Sequence, residues 1–472
     1  MSASKILVSL SNLSLSNDEK NKLITDLIEK CECVSKENPG NLCAKYATEY
    51  LKSEEGKSLS NEDLLGFYKC IKTGIENPDS KLGAYATKVG DYKKYHSFFD
   101  KVIRDYHGAK TEDIHSTDWT TLEDASFDLK ECGLEEVSMR IRVGRNLVSF
   151  DLPASMDKII RVQFEKKMTT AFDALKEKYG GVYHSLSPDW NEEKNPFLIS
   201  TEKYEELVSR HFMFKDMSSD SYLSSASISS DWPYGRGCWI SDDESNIIWV
   251  GEEDQLRIMC MKNGSDLLKL FEDLKDLLDS IEKVEGIEFA KDKDYGYITS
   301  CPSNLGTAMR ASVHIKIPQL TIDGSISAVD HLCKPLGLSV RGTGGEHTPV
   351  VDGILDISPS SRLFVSESQI LSTLYGGIQS VVAIDNHISN FLNGNAKGEK
   401  EGEQDENKCP SSFVLVENDK TVERDDDEKK RSQQAVKDMK KKMKQMKKSS
   451  LMGKSAKCLH LSPGPVLQLT NA

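Results

Sequence analysis

The sequence predicts a small all-helical domain, then a larger domain that mixes strands with long helices, then a charged tail. Three observations carry this. Apolar residues recur at three- and four-residue spacing through 17–72, the pattern of helices with one buried face. From Val137 the period shortens to two in several runs separated by long helical stretches, which makes the larger domain α/β or α+β. Beyond Gly394 apolar residues thin out among Lys, Glu and Asp, a composition that cannot offset chain entropy and reads as disorder. The expected divisions are 1–107, a polar linker 108–135, 136–393, and the tail 394–472.

The elements follow in order. Leu23, Leu27 and Ile28, then Tyr46, Tyr50 and Leu51, then Leu64, Leu65, Tyr68 and Ile71 mark the helices of the first domain, and helical spacing resumes over 92–103. Between them NPDSKLGAYAT holds the turn formers Pro78, Asp79, Ser80 and Gly83. VSMRIRV predicts a strand, 156–179 a helix, NIIWVG and QLRIMCM two strands, 265–284 an amphipathic helix, and YGYITS and SVHIKI two more strands.

Composition narrows the function. At 472 residues and 38% hydrophobic content the chain can fill sizeable cores. A net charge of -14 argues against nucleic acid as the partner of the folded domains. The first residues lack the pattern of a signal peptide, and no stretch approaches the roughly 18 apolar residues of a membrane span. The 11 cysteines lack metal-ligand spacing, which fits reduced thiols in a cytoplasmic protein.

Chemistry concentrates in a few segments. In VSMRIRVGR, Ser138, Arg140 and Arg142 are two apart and share one strand face. A solvated basic edge is one reading of that face. Arg257, Arg310 and Arg341 repeat the theme, and five arginines on one sheet repel unless a polyanion lies among them; phosphate suits the guanidinium fork. Neither Gly56-Lys57-Ser58 nor Gly453-Lys454-Ser455 has the earlier glycine of a Walker loop, so an arginine clamp has to replace one. Gly342, Gly344 and Gly345 suit a mobile flap whose amides approach an anion. Glu252, Glu253 and Asp254 follow an apolar strand. Acidic turns at strand ends are common, and the functional reading is a pair of carboxylates that grips a planar cation and takes its proton. Cys301 opens the polar turn CPSN, where Ser303 and the turn amides are placed to stabilise a thiolate.

Taken together, NPDSKLGAYA, VSMRIRVGR, RHFMFK, WPYGRG, GEEDQLRI, CPSNLGTAMRASVHIKIP and RGTGGEHT, in that order over 17–392, resemble the phosphagen kinases and arginine kinases in particular. The resemblance implies reversible transfer of the γ-phosphoryl group of MgATP to a guanidino compound, with Mg²⁺ held mainly by phosphates and water. It implies an α+β fold, a helical domain beside a large antiparallel sheet flanked by helices. It places Ser138, Arg140, Arg142, His211, Arg257, Arg310, Ala311, Ser312, Val313, His314, Arg341, Gly342, Thr343, Gly344 and Gly345 at ATP or ADP. It places Glu253, Cys301 and Glu346 at the guanidino group, with the loop Ser80, Lys81, Leu82, Gly83, Ala84 and Tyr85 setting specificity. Two positions depart from the family pattern: Gly251 stands where Asn is usual and loosens the backbone beside Glu252, and Lys81 replaces a small residue. Tyr85 and Glu346 match the arginine-specific pattern, whereas Lys81 suits taurocyamine or another acidic guanidino compound. A catalytically weak relative that works as a scaffold through its tail is a further alternative.

In the tail, Val436, Met439, Met443 and Met446 form an apolar stripe among Lys437, Lys440, Lys441, Lys442, Lys444, Lys447 and Lys448. A basic amphipathic helix over 429–448 would meet an acidic protein, a membrane surface or a filament. A solvated lysine run is the other reading.

Overall fold

The computed structural model describes residues 15–120, 126–322, 324–342 and 353–397. Thr343, Gly344, Gly345, Glu346, the tail helix expected at 429–448 and the rest of the tail from 398 lie outside these residues.

The first domain is built on helices α1 (Asn17–Glu37), α2 (Leu42–Lys52), α3 (Glu54–Ser58), α4 (Asn61–Glu76), α5 (Asp91–Lys94) and α6 (His96–His107). Ser16 and Glu19 start α1 with a reciprocal capping box, which satisfies backbone donors that the first turn leaves free. Gly108 ends α6 in the left-handed conformation that a side chain would disfavour. Phe67, Tyr68, Tyr95, Phe98 and Phe99 fill the middle of this domain. The same core continues into Leu152, Ala290, Ile298, Cys301 and Leu305 of the larger domain, so the two share one apolar seam.

The larger domain holds one sheet of eight strands: β1 (Val137–Arg145), β2 (Val182–Ser185), β3 (Gly237–Ile240), β4 (Asn246–Val250), β5 (Leu256–Gly264), β8 (Met309–Lys316), β9 (Leu338–Gly342) and β10 (Ile354–Pro359). Their order is β2-β3-β4-β5-β1-β8-β10-β9, and every neighbouring pair is antiparallel, which makes the fold α+β and not α/β. The expected strand YGYITS contributes only β7 (Gly296–Tyr297), paired with β6 (Lys291–Asp292), because the following residues are tied elsewhere as described below.

One face of the sheet is covered by α7 (Lys158–Tyr179), α10 (Leu267–Glu282) and α12 (Glu367–Lys397), with Leu267, Leu270, Phe271, Leu274, Leu278 and Ile281 of α10 in the core. The helix α12 continues to Lys397, past the start of the tail at 394. No helix of the described residues is long and apolar enough to cross a membrane.

Candidate active site

Strand register builds the site, because residues paired across antiparallel strands project from the same face. On β1, Met139, Ile141 and Val143 enter the core while Ser138, Arg140, Arg142 and Gly144 face the other way. Opposite them stand His314 (against Ser138), Ser312 (against Arg140), Arg310 (against Arg142) and Arg257 (against Gly144). Asp356 pairs with both His314 and Arg341 and so extends the same face. One surface therefore gathers Ser138, Arg140, Arg142, Arg257, Arg310, Ser312, His314 and Arg341. His211, with φ 60, lies near enough to His314 for its charge to be felt there.

By register, three of the expected nucleotide residues differ from the others in the side of the sheet they face. Ala311 opposes Ile141 and Val313 opposes Met139, and both are fully buried in the hydrophobic core, so their side chains point away from the arginines. Gly342, one residue beyond Arg341, pairs with the buried Leu355 and shares that core side. Strand alternation leaves none of the three a side-chain role on the arginine face.

Arg310 donates to Asp356 Oδ2 at 2.8 Å, and Arg257 to Glu252 Oε2 at 2.8 Å. Arg140 and Arg142 form no ion pair among the described residues. Burial lowers the pKa of Arg142 well below its usual range, and Arg257, Arg140 and Arg310 push it down further. Positive charge thus accumulates faster than the protein neutralises it, the electrostatics of an anion site.

Beside this surface lies a cavity of about 280 Å³ lined by Tyr85, Asp220, Tyr222, Leu223, Glu252 and Glu253. Asn304 Nδ2 donates to Glu253 Oε2 at 3.1 Å. Burial, then the charges of Asp254 and Glu252, raise the Glu253 carboxyl from its ordinary 4.5 to about 7. Asp254 is buried beneath it and accepts from Asn146 Nδ2 at 2.8 Å and from Ser300 N at 2.7 Å. That carboxylate holds the backbone leading to Cys301 in place, which is why YGYITS does not continue as a strand.

Cys301 Sγ is 3.1 Å from Ser303 Oγ. Burial and the nearby Glu253 push the thiol up to about 12, while hydrogen bonds with the Ser303 side chain and backbone, the groups expected to favour a thiolate, pull it down and are outweighed. The helical domain secures the same turn: Ala86 N donates to Ser300 O at 2.8 Å, Tyr92 Oη to Thr299 O at 2.8 Å, and His107 Nε2 lies 3.0 Å from Pro302 O.

The expected specificity loop is pinned at the start of α2, where Leu42 N and Cys43 N donate to Lys81 O and Leu82 O at 3.0 Å each. Gly83, at φ +68, lies so close to Gly74 that a Cβ would come within 2.5 Å of its Cα. Ser80 is buried, and Leu82 and Ala84 pack into the helical core. Of the loop, Tyr85 reaches the cavity; Lys81 lies over the Tyr106 ring, 5.3 Å from its centroid, and does not line it. Gly251 is held, not loose: its φ is +75, Gly251 N donates to Gln255 O at 2.9 Å, and a Cβ would meet Gly235 O at 2.3 Å.

Asp356, Asn146, Asp220 and Tyr222 escaped the sequence reading, and Asp254 was read as part of the acidic turn without its role in bracing the backbone at Ser300. A lone Asp at the middle of the apolar run ILDISP was the one signal available for Asp356; the others are set by distant pairings.

Residues 37–104 match the model of the ATP:guanido phosphotransferase N-terminal domain and residues 163–388 that of its C-terminal catalytic domain. The chain is 33% identical over 366 residues to an arginine kinase of Liolophura japonica, a span of 77% of this chain and 99% of that one. It is 34% identical to a glycocyamine kinase of Hediste diversicolor over 333 residues, covering 68% and 80%. The substrate-free structure of the duplicated taurocyamine kinase from Schistosoma mansoni superposes with a TM-score of 0.62 at 29% identity, covering 85% of this chain and about half (51%) of that one. With both domain models matched in order and a relative 33% identical over 77% of this chain's length, the chain belongs to the phosphagen kinases, the ATP:guanido phosphotransferase family of transferases.

Proposed function

We propose that this chain transfers the γ-phosphoryl group of MgATP reversibly to L-arginine, forming phosphoarginine. The observation that carries the reading is the adjacency of an under-neutralised arginine face to a carboxylate-lined cavity. The arginines would clamp the polyphosphate, bidentate where their forks allow, and neutralise charge spreading over the transferred group. Magnesium, arriving as part of the nucleotide substrate MgATP, would add positive charge against the polyphosphate beside these arginines. Among the described residues no three His, Cys, Asp or Glu side chains converge as a metal cage.

Glu253 orients the planar guanidinium, and the attacking nitrogen loses a proton to it as that nitrogen bonds to phosphorus and ADP departs. A carboxyl near pH 7 suits this exchange because it gives and takes protons at little cost. A guanidinium in the cavity also adds a cation beside Glu253 and Cys301, both of which burial pushes toward the neutral form. Lys81 packs on Tyr106, outside the cavity, which removes its reason to attract an acidic acceptor. Turnover in a coupled assay over arginine, glycocyamine and taurocyamine tests the reading: arginine gives the highest kcat/KM, and preference for either acid would overturn it.

A further inference from the structure

Three carboxylates line the cavity, and two have work. Glu252 neutralises Arg257, and Glu253 faces Asn304 beside the cysteine turn. Asp220 is left over. Its Oδ1 caps the short helix Ser221–Ser225, accepting from Tyr222 N and Leu223 N at 2.9 Å each. Its Oδ2 has no donor among the described residues, and no cation lines the cavity among them. Tyr85 lines the same cavity as Glu253 and Asp220, and burial first, then the charges of Cys301, Glu253 and Asp220, raise the pKa of its hydroxyl. A substrate whose far end were only an acid would set its carboxylate or sulfonate against this unpaired charge. One with an ammonium group there would pair with it.

We propose that Asp220 determines specificity, its free carboxylate oxygen receiving the ammonium group of a guanidino amino acid and disfavouring guanidino acids that lack one. The proposal rests on the guanidino reading of the cavity. Tyr222 supports it, since its hydroxyl donates to Asp79 Oδ2 at 2.8 Å and thereby ties the segment that carries Asp220 to the helical domain. The carboxylate is exposed in the ligand-free cavity, so the pair gains its strength as the substrate displaces water.

The test compares arginine with 5-guanidinopentanoate, which is arginine without its ammonium group, by turnover and by calorimetric binding. It uses the full chain and Asp220→Asn. Asparagine keeps an oxygen for the helix cap, so the melting temperature stays unchanged. Wild type is expected to prefer arginine by on the order of 10²-fold in kcat/KM. Asp220→Asn should raise KM for arginine about tenfold while changing 5-guanidinopentanoate less than about twofold. Equal use of both compounds by wild type, or an equal loss on both in the variant, overturns the assignment and leaves phosphoryl transfer standing. If neither compound is phosphorylated but arginine binds in an Asp220-dependent way, the transfer reading fails and this one stands. Absence of both turnover and binding removes the two together.

Discussion

Arg236 and Arg142 both belong to the interior of the larger domain, yet their surroundings differ in kind. Arg236 is fully buried and donates to Ile228 O at 2.8 Å, Tyr234 O at 2.6 Å and Gly251 O at 3.2 Å. Arg161 does the same with Pro153 O and Ser227 O, and Arg145 with Thr307 O while lying 3.3 Å from the centroid of the Tyr297 ring. These guanidinium groups are met by carbonyl dipoles and a π face, so their charge is spent on holding loops together. Arg142 faces Arg310 across the sheet with Arg140 and Arg257 nearby, an arrangement that costs the fold and rewards an arriving anion. An arginine tied to backbone is neutralised by the fold; an arginine facing arginines is left for something else to neutralise.

Substitutions can break that division. Arg142→Ala should lower kcat by about 10³-fold, the loss expected when a preorganised charge donor leaves a phosphoryl site, and leave the urea midpoint unchanged or raised. A variant that unfolds more readily would put Arg142 in the structural class. Arg236→Ala should cost about 3 kcal/mol of stability, because three buried carbonyls lose their donor together. Urea denaturation monitored by tryptophan fluorescence checks it, and an unchanged midpoint would erase the distinction.

Glu253→Gln sharpens the comparison from the carboxylate side. Turnover should fall about 10²-fold. In wild type, kcat/KM should rise with pH through about 7 as Glu253 ionises, and the variant should lack that limb. Stability carries the opposite sign. A carboxyl raised from 4.5 to about 7 makes the fold less stable as pH climbs through that window, so the variant should gain on wild type above pH 7 and lose its advantage below 4.5. Equal stability difference at pH 4 and pH 8 would show that Glu253 is not perturbed. Smaller still, Gly251→Asn should cost about 1–2 kcal/mol through its clash with Gly235 O, even though Asn tolerates positive φ. Lys81→Gly should change KM for arginine less than about twofold, since the lysine sits on Tyr106. A larger shift would return it to the substrate.

Much of this was legible before the coordinates. Period-two spacing set Ser138, Arg140 and Arg142 on one face, and the Leu and Phe stripe of α10 marked its buried side. What stayed hidden did so for lack of long-range information. Ala311 and Val313 share a motif with Arg310 and His314, but a contiguous motif hides the alternation that sends every second side chain to the core. Strands β2 and β3 are four residues each, too short for a period to declare itself. Asp254 looks like one more acid of a solvated turn until Asn146, 108 positions earlier, is brought against it.

The shared seam between the domains has a consequence for exchange between relatives. Ala86 N donates to Ser300 O, so the segment that follows loop 80–85 and the turn that carries Cys301 are neighbouring rungs of one scaffold. Grafting 80–85 from a relative with different taste would tug on that rung and shift the thiol as well. A successful chimera therefore has to move both segments, together with Tyr92 and His107 that brace the turn. Loop and turn are thereby inherited as one block, and a change in either has to keep the brace intact.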